Sequence, residues 1–426
     1  MNSLLRIPYA LAGAIAQGLT YVVPDGEWKL QRGLAARRGI VRRYRQWSTA
    51  RRDPSRPLVW FHAPSVGEGL QALPVLQLLR SRRPDVQIAY THYSPSAERF
   101  ARSTHADFVD YLPFDTLTAA GGAISALQPT ALVFSKLDVW PLLTETAARR
   151  NIKIGLISAT LPASSARRSG LARRALADAY AALDRVGAIS DDDAARLREQ
   201  GVRPDCLTVT GDTRYDQVWA RALGPRSDLV ESLRSASPTL VAGSTWPADE
   251  AHLLSAWIEV RKKIPAARLI IAPHELSEGH LCRVTDWARS NNLRLSRISA
   301  ARHGADDVVL VDRYGVLGDL YALADVAYVG GGFHSAGLHS VLEPAAFGAP
   351  VLFGPAHGRS REAAGLLGCG GARVVGDRAD LERELSVLLA SRELRDSSGA
   401  AARAMVETGL GAAERSYQLV RELLGR

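Results

Sequence analysis

A carboxylate that opens a helix directly after a buried strand can serve as a general base, and Glu68 stands in such a place. The run LVWFHA ending at Ala63 reads as a strand, and Ala63 to Glu68 (APSVGE) reads as its turn into a helix, with Ser65, Gly67 and Glu68 at the junction. A helix start offers free backbone N–H groups and the positive end of the helix dipole, which favour an anion. Complementing that dipole is the plainer role open to Glu68, and His62 by itself reads as a satisfied core histidine. A second candidate lies at Val329 to Phe333 (VGGGF), a strand end followed by a predicted helix start at Gly337 to Glu343 (GLHSVLE). Glycines there let the backbone approach a phosphate, and Glu343, about one turn in, can reach ribose hydroxyls. A structural turn accounts for the glycine run alone equally well. The cysteines Cys206, Cys282 and Cys369 are scattered without metal or disulfide spacing, so no metal site and no disulfide framework is expected, and a reducing compartment suits them.

The elements that must position these residues follow from the alternation of short apolar runs with helical segments. LVWFHA, VQIAYTHY, ALVFS, IKIGLIS and RVGAIS read as strands of a first half; TLVAGS, ARLIIAPH, VVLVD, VAYVGG and PVLFGP read as strands of a second. Helices are predicted between them, including Glu68 to Arg82, one from Pro141 and a last one from Ala412 to Leu424. The pattern predicts an α/β chain of two Rossmann-like, doubly wound domains, with sites outside the carboxyl ends of the strands. The expected division is an N-terminal arm over 1–56, a first domain over 57–222 and a second over 223–426. A length of 426 residues and a composition of 46% hydrophobic and 23% charged residues fit two globular domains and exclude extensive disorder.

The net charge of +9 is concentrated rather than spread, because Lys29 to Arg56 holds ten basic residues against the single acid Asp53. Before it, Leu4 to Val23 is apolar apart from Arg6, Gln17 and small polar residues, although Pro8, Gly13 and Gly18 make it a poor bilayer span. An apolar helix followed by arginines predicts attachment to an anionic membrane surface, with Arg37, Arg38, Arg42 and Arg43 among the docking charges. A buried helix with a solvated basic face is the alternative. Nucleic acid is not expected as a partner, since aromatics are not interleaved with the charges.

Seven ordered segments carry a resemblance: HAPSVGE with LPVLQLLR, YLPFD at Tyr111 to Asp115, KLDVWP at Lys136 to Pro141, GDTRYD at Gly211 to Asp216, AGSTWPADE at Ala242 to Glu250, APHE at Ala272 to Glu275, and GGGFHSAGLHSVLEPAAFGAPVLFGP from Gly330 to Pro355. In this order they resemble the 3-deoxy-D-manno-octulosonic acid (Kdo) transferases, glycosyltransferases of the two-Rossmann GT-B type, over nearly the whole chain. The resemblance implies inverting transfer of Kdo from CMP-Kdo to a lipid A precursor in lipopolysaccharide assembly, at the cytoplasmic face of the inner membrane. It implies Glu68 as proton acceptor, and Asp138 and Arg214 as stabilisers of the transition state. The CMP-sugar site would comprise Pro273 and His274, then Tyr314, Gly315 and Val316, then Ser340, Val341, Leu342 and Glu343. No cofactor or metal is implied, since the leaving nucleotide is already acidic.

This chain departs from the family pattern at several of these places. Lys136, Leu137 and Asp138 stand where Glu-Thr-Glu is usual, Pro273-His274-Glu275 replaces Pro-Arg-His, Arg214 replaces a common lysine, Ser340 an asparagine and Val316 a glutamate. Other readings are a GT-B enzyme acting on a different nonulosonate or a UDP-sugar, including an epimerase, and a catalytically inactive membrane scaffold. A further basic cluster, Arg167, Arg168, Arg173 and Arg174, is expected to form a rim for an anionic acceptor.

Overall fold

The computed structural model describes residues 3–300 and 306–425. The first two residues of the predicted arm, residues 301–305 of the predicted second domain and residue 426 lie outside them. The chain divides into two compact units, Met1–Gln217 with Leu410–Arg426, and Val218–Gly409. This corrects the expected division in two respects. The boundary falls at 217/218 rather than 222/223, and the last helix, Ala412–Leu423, belongs to the first unit rather than the second. That helix packs on strands and a helix of the first unit through Tyr417, Leu419, Val420 and Leu423, and Asp216 accepts the backbone N–H groups of Gly411 and Ala413 at its start.

The first unit opens with α1 (Ser3–Val22), α2 (Lys29–Ala35) and α3 (Ile40–Arg51). It continues as β1 (Leu58–His62), α4 (Val66–Arg82), β2 (Gln87–His92), α5 (Glu98–Ser103), β3 (Phe108–Tyr111), α6 (Leu117–Leu127), β4 (Ala131–Ser135), α7 (Pro141–Ala148), β5 (Lys153–Ala159), β6 (Arg185–Ala188) and β7 (Leu207–Val209). Its seven strands form one parallel sheet in the order β3-β2-β1-β4-β5-β6-β7. β1, β2 and β4 are buried at every position, as continuous apolar runs covered on both faces must be. The order reverses between β1 and β4, so the crevice at their carboxyl ends is the topological switch point.

The second unit repeats this plan with β8 (Thr239–Thr245), β9 (Arg268–Pro273), β10 (Leu295–Arg297), β11 (Val308–Leu310), β12 (Val326–Val329), β13 (Val351–Phe353) and β14 (Ala372–Val374). The order is β10-β11-β9-β8-β12-β13-β14, with its switch point between β8 and β12. The strands absent from the sequence reading, β3, β7, β10 and β14, are all sheet edges. Short and only partly buried, they lack the apolar runs of central strands.

The arm expected over 1–56 is not a separate body. α3 buries Ile40 and Tyr44 in the core of the first unit, the Tyr44 hydroxyl donates to the Tyr111 carbonyl at 2.7 Å, and Trp47 Nε1 donates to the Asp107 carbonyl at 2.9 Å. α1 is tied down along one face: Arg6 pairs with Glu145 at 2.9 Å, and the Tyr9 hydroxyl donates to Asp115 at 2.8 Å. Ile7, Leu11, Ile15, Leu19 and Val22, at helical spacing, are exposed along another. Among the described residues no helix is long and apolar enough to cross a membrane.

Candidate functional site

At the first switch point β1 delivers Glu68 and β4 delivers Lys136. Ser65 precedes the first turn of α4, and Glu68 is the third residue of that helix. One Glu68 carboxylate oxygen accepts from the Ser65 hydroxyl, and the other from Lys136 Nζ at 3.1 Å. Burial alone would raise the Glu68 carboxyl, but the Ser65 hydroxyl and the Lys136 ammonium outweigh it and hold the group below the ordinary glutamate value. The Ser135 hydroxyl donates to the Glu68 carbonyl at 3.0 Å, which pins the start of α4 to the end of β4. Lys136 itself has a left-handed backbone, φ 67°, at the turn leaving β4.

Asp138, two residues on, pairs with Arg167 at 2.5 Å, and Arg167 also donates to the Leu137 carbonyl at 2.8 Å. Burial raises the Asp138 carboxyl, the Arg167 charge opposes this, and the neighbouring Glu68 charge adds to the rise. Glu68, Lys136, Asp138 and Arg167 thus form one alternating charge cluster at the strand ends. Arg214 is one step removed. It pairs with Asp212 at 2.6 Å, Asp212 accepts from the Gln71 amide at 3.3 Å, and the Gln71 carbonyl accepts from Thr213 at 2.6 Å, one helical turn beyond Glu68.

In the second unit the predicted residues lie on three loops after strands. Pro273 ends β9, with His274 behind it. Tyr314, Gly315 and Val316 follow β11, and Ser340 to Glu343 lie beyond the glycine turn after β12. Tyr314 joins two of these loops, its hydroxyl accepting from the Leu276 N–H at 3.2 Å. Val316, Val341 and Leu342 bury their side chains in the core, which leaves their backbone as the part able to face a ligand. The helix expected from Gly337 begins only at Leu342, because Gly331 and Gly337, both at positive φ, fold the intervening residues into a turn. A Cβ on Gly331 would stand 2.2 Å from the Gly337 carbonyl oxygen, so no other residue fits that turn. Glu343 lies 3.8 Å from Arg221, and burial raises its carboxyl despite that charge.

Sequence reasoning missed the aromatic cluster at the second switch point. Trp246, directly after β8, stacks on His334 at 4.1 Å and on His274 at 4.5 Å, and its Nε1 bonds His339 Nε2 at 3.1 Å. Burial and the neighbouring His274 depress the His339 imidazole to about 4, so it is neutral at pH 7. Asp249 organises the cluster. Fully buried, its carboxylate accepts from the N–H groups of Trp246, Gly331 and Phe333 and from the Tyr328 hydroxyl, at 2.8 to 3.2 Å. The available signal was Trp246 followed three residues later by an acid, the spacing of a reciprocal helix cap.

Two expectations about basic residues are corrected. Arg37 is 5% exposed, donates to three backbone carbonyls and stacks on Tyr93; Arg38 pairs with Asp25, and Arg43 holds Asp110 through two bonds. Of the four named docking arginines only Arg42 is exposed. In the expected rim, Arg167 serves Asp138, Arg168 pairs with Glu199 and Arg173 donates to the Glu199 carbonyl, so three of its four charges are engaged internally. His62 is a core residue, bonded to Thr91 and pushed down to about 3 by burial. Among the described residues no group of three or more His, Cys, Asp or Glu is placed to hold a metal ion.

Comparison with known proteins gives a consistent family. Residues 33–217 match the family model for 3-deoxy-D-manno-octulosonic-acid transferase (kdotransferase). The chain is 30% identical over 396 residues to the 3-deoxy-D-manno-octulosonic acid transferase of Bordetella pertussis, covering 86% of this chain and 87% of that protein. To the enzyme of the same name from Haemophilus influenzae it is 28% identical, covering 92% of both. Among solved structures, UDP-GlcNAc 2-epimerase from Neisseria meningitidis shares the fold with a TM-score of 0.59 at 14% identity, covering 87% of this chain and 99% of that one. With the two doubly wound sheets and this relationship across most of its length, the chain belongs to the Kdo transferase family of GT-B glycosyltransferases.

Proposed function

We propose that the protein transfers Kdo from CMP-Kdo, with inversion at the anomeric carbon, to a sugar hydroxyl of a lipid A precursor at the cytoplasmic face of the inner membrane. The observation that carries this reading is Glu68: a carboxylate at a switch point, kept ionised by Ser65 and Lys136, on a chain related to a Kdo transferase over 92% of its length. An ionised carboxylate can take the proton of the attacking hydroxyl. Asp138 and Arg214, the latter steadied by Asp212, are assigned to charge that develops as the bond to the nucleotide breaks. The donor's CMP portion is assigned to Pro273, His274, Tyr314, Gly315, Val316 and the Ser340 to Glu343 segment, where backbone groups can meet a phosphate. A phosphate leaving group is already acidic, so this chemistry calls for no metal or cofactor. The apolar stripe of α1 is assigned to the membrane surface that presents the acceptor.

Incubating the purified protein with CMP-Kdo and a tetra-acylated lipid A precursor, with products read by mass spectrometry, tests the proposal. A mass increase of one or more Kdo units is expected. No addition from CMP-Kdo, or turnover of a UDP-sugar instead, removes it.

A further inference from the structure

With the predicted rim engaged internally, the basic surface left open lies elsewhere. A cavity of about 430 Å³ is lined by Arg32 of α2 and by Pro95, Ser96, Glu98, Arg99 and Arg102 around the start of α5. Arg102 pairs with Glu98 at 2.6 Å. The side chains of Arg32 and Arg99 make no hydrogen bond or ion pair among the described residues, and both are exposed. Three guanidinium groups against one carboxylate leave the cavity positive, which suits a phosphate monoester, the ligand whose geometry arginine forks match.

The cavity is fastened to the start of α4. The N–H groups of Tyr93 and Ser94 both donate to the Pro64 carbonyl, at 3.1 and 2.9 Å, so the turn carrying Pro95 and Ser96 is latched to the residue before Ser65. On the other side α5 seats directly on α4: a Cβ on Gly69, the residue after Glu68, would lie 2.3 Å from the Phe100 ring. Trp28 and Leu30, 79% and 73% exposed, lie within four residues of Arg32 and supply apolar surface beside the charge. A ligand with a phosphorylated sugar head and acyl chains matches this combination.

We propose that the Arg32, Arg99 and Arg102 cavity binds a phosphate monoester on the acceptor's sugar headgroup and so presents the acceptor hydroxyl to Glu68. This rests on the acceptor reading given above, and the test separates the two. Titration calorimetry with the full chain and a soluble glucosamine disaccharide bisphosphate needs no turnover. Replacing Arg32→Gln and Arg99→Gln together should weaken its binding by about tenfold or more, since two charge-assisted contacts are lost. The unphosphorylated disaccharide should bind the wild type and this variant alike, and Arg45→Gln, which removes an exposed arginine outside the cavity, should change neither. Equal affinity of wild type and double variant for the bisphosphate overturns the assignment. So does a variant that loses only its affinity for phosphatidylglycerol vesicles, because the cavity would then serve bulk anionic lipid. Absence of Kdo transfer by the wild type would instead overturn the proposed reaction, whatever the calorimetry gives.

Discussion

The charge balance at Glu68 decides how this site responds to pH and to substitution. Glu68→Gln keeps the shape and the Ser65 contact but cannot accept a proton, so kcat is expected to fall by about 10² to 10⁴ while CMP affinity, measured by calorimetry, stays unchanged. Lys136 stands where the family usually has an acid, and the structure gives it a definite task, holding Glu68 ionised. Because Glu68 is depressed, the acid limb of kcat/KM should lie below the ordinary glutamate range. Lys136→Met removes one of the two opposing influences, burial gains weight, and the limb should move to higher pH. A profile unmoved by that change would show that Lys136 does not set the protonation of the base. Arg214 calls for a different measurement from kcat alone. Burial would raise the carboxyl of Asp212, yet Arg214 holds it below the ordinary aspartate value. A depressed carboxyl gives stability that is present above the unfolded aspartate pKa and is lost as pH falls through the folded value. Arg214→Ala leaves that carboxylate buried without its partner and is expected to cost about 1–3 kcal/mol at pH 7, discounted for the partial exposure of Arg214. Urea denaturation at pH 7 and pH 4 should show the variant's deficit shrinking in acid. Arg214→Lys, which restores the charge, separates the structural loss from any loss in transfer.

Each of the two sites is assembled by elements that a central carboxylate ties together. In the first unit Asp115 accepts the N–H groups of Leu142 and Leu143 at the start of α7 as well as the Tyr9 hydroxyl, so α1 and the segment following Asp138 share one anchor. In the second unit Asp249 does the same for the turns after β8 and β12. Asp249→Asn keeps the volume but turns a donor toward groups that are themselves donors. It is expected to cost about 2–4 kcal/mol of stability in urea titration. At temperatures where the variant remains folded, CMP affinity should fall as well, because Gly331 and Trp246 lose their common acceptor. Unchanged CMP affinity in a folded variant would mean that the glycine turn does not hold the nucleotide. The family segments AGSTWPADE and GGGFHSAGLHSVLEP are distant in sequence, and Asp249 is the physical reason they meet.

For the molecule as a whole, the proposed membrane contact is assigned to the exposed apolar stripe of α1 rather than to the basic arm, since Arg37, Arg38 and Arg43 are consumed by internal bonds. Burying two aliphatic side chains is worth about 1.5–3 kcal/mol each, so Leu11→Ser with Ile15→Ser should reduce sedimentation with phosphatidylglycerol vesicles by at least about tenfold. Retention at the wild-type level would assign the contact to another surface. The linear pattern by itself determined the central strands, the helix start at Pro141, a helix after β1 that begins at Val66, two residues before the expected Glu68, the two-domain α/β plan and the family, because buried parallel strands are continuous apolar runs and ordered motifs survive divergence. It did not determine the edge strands, whose half-exposed residues carry no such signal. It also did not determine the return of Ala412–Leu423 to the first unit, the internal use of the arginines, or the meeting of Trp246 with three histidines. Those depend on which residues each unit's sheet brings together, from 13 positions apart for Arg38 and Asp25 to 197 for Asp216 and Ala413. A charge or an imidazole has no partner until the fold supplies one. Only the tertiary structure decided that Lys136 faces Glu68, while Arg32 and Arg99 remain open to a ligand.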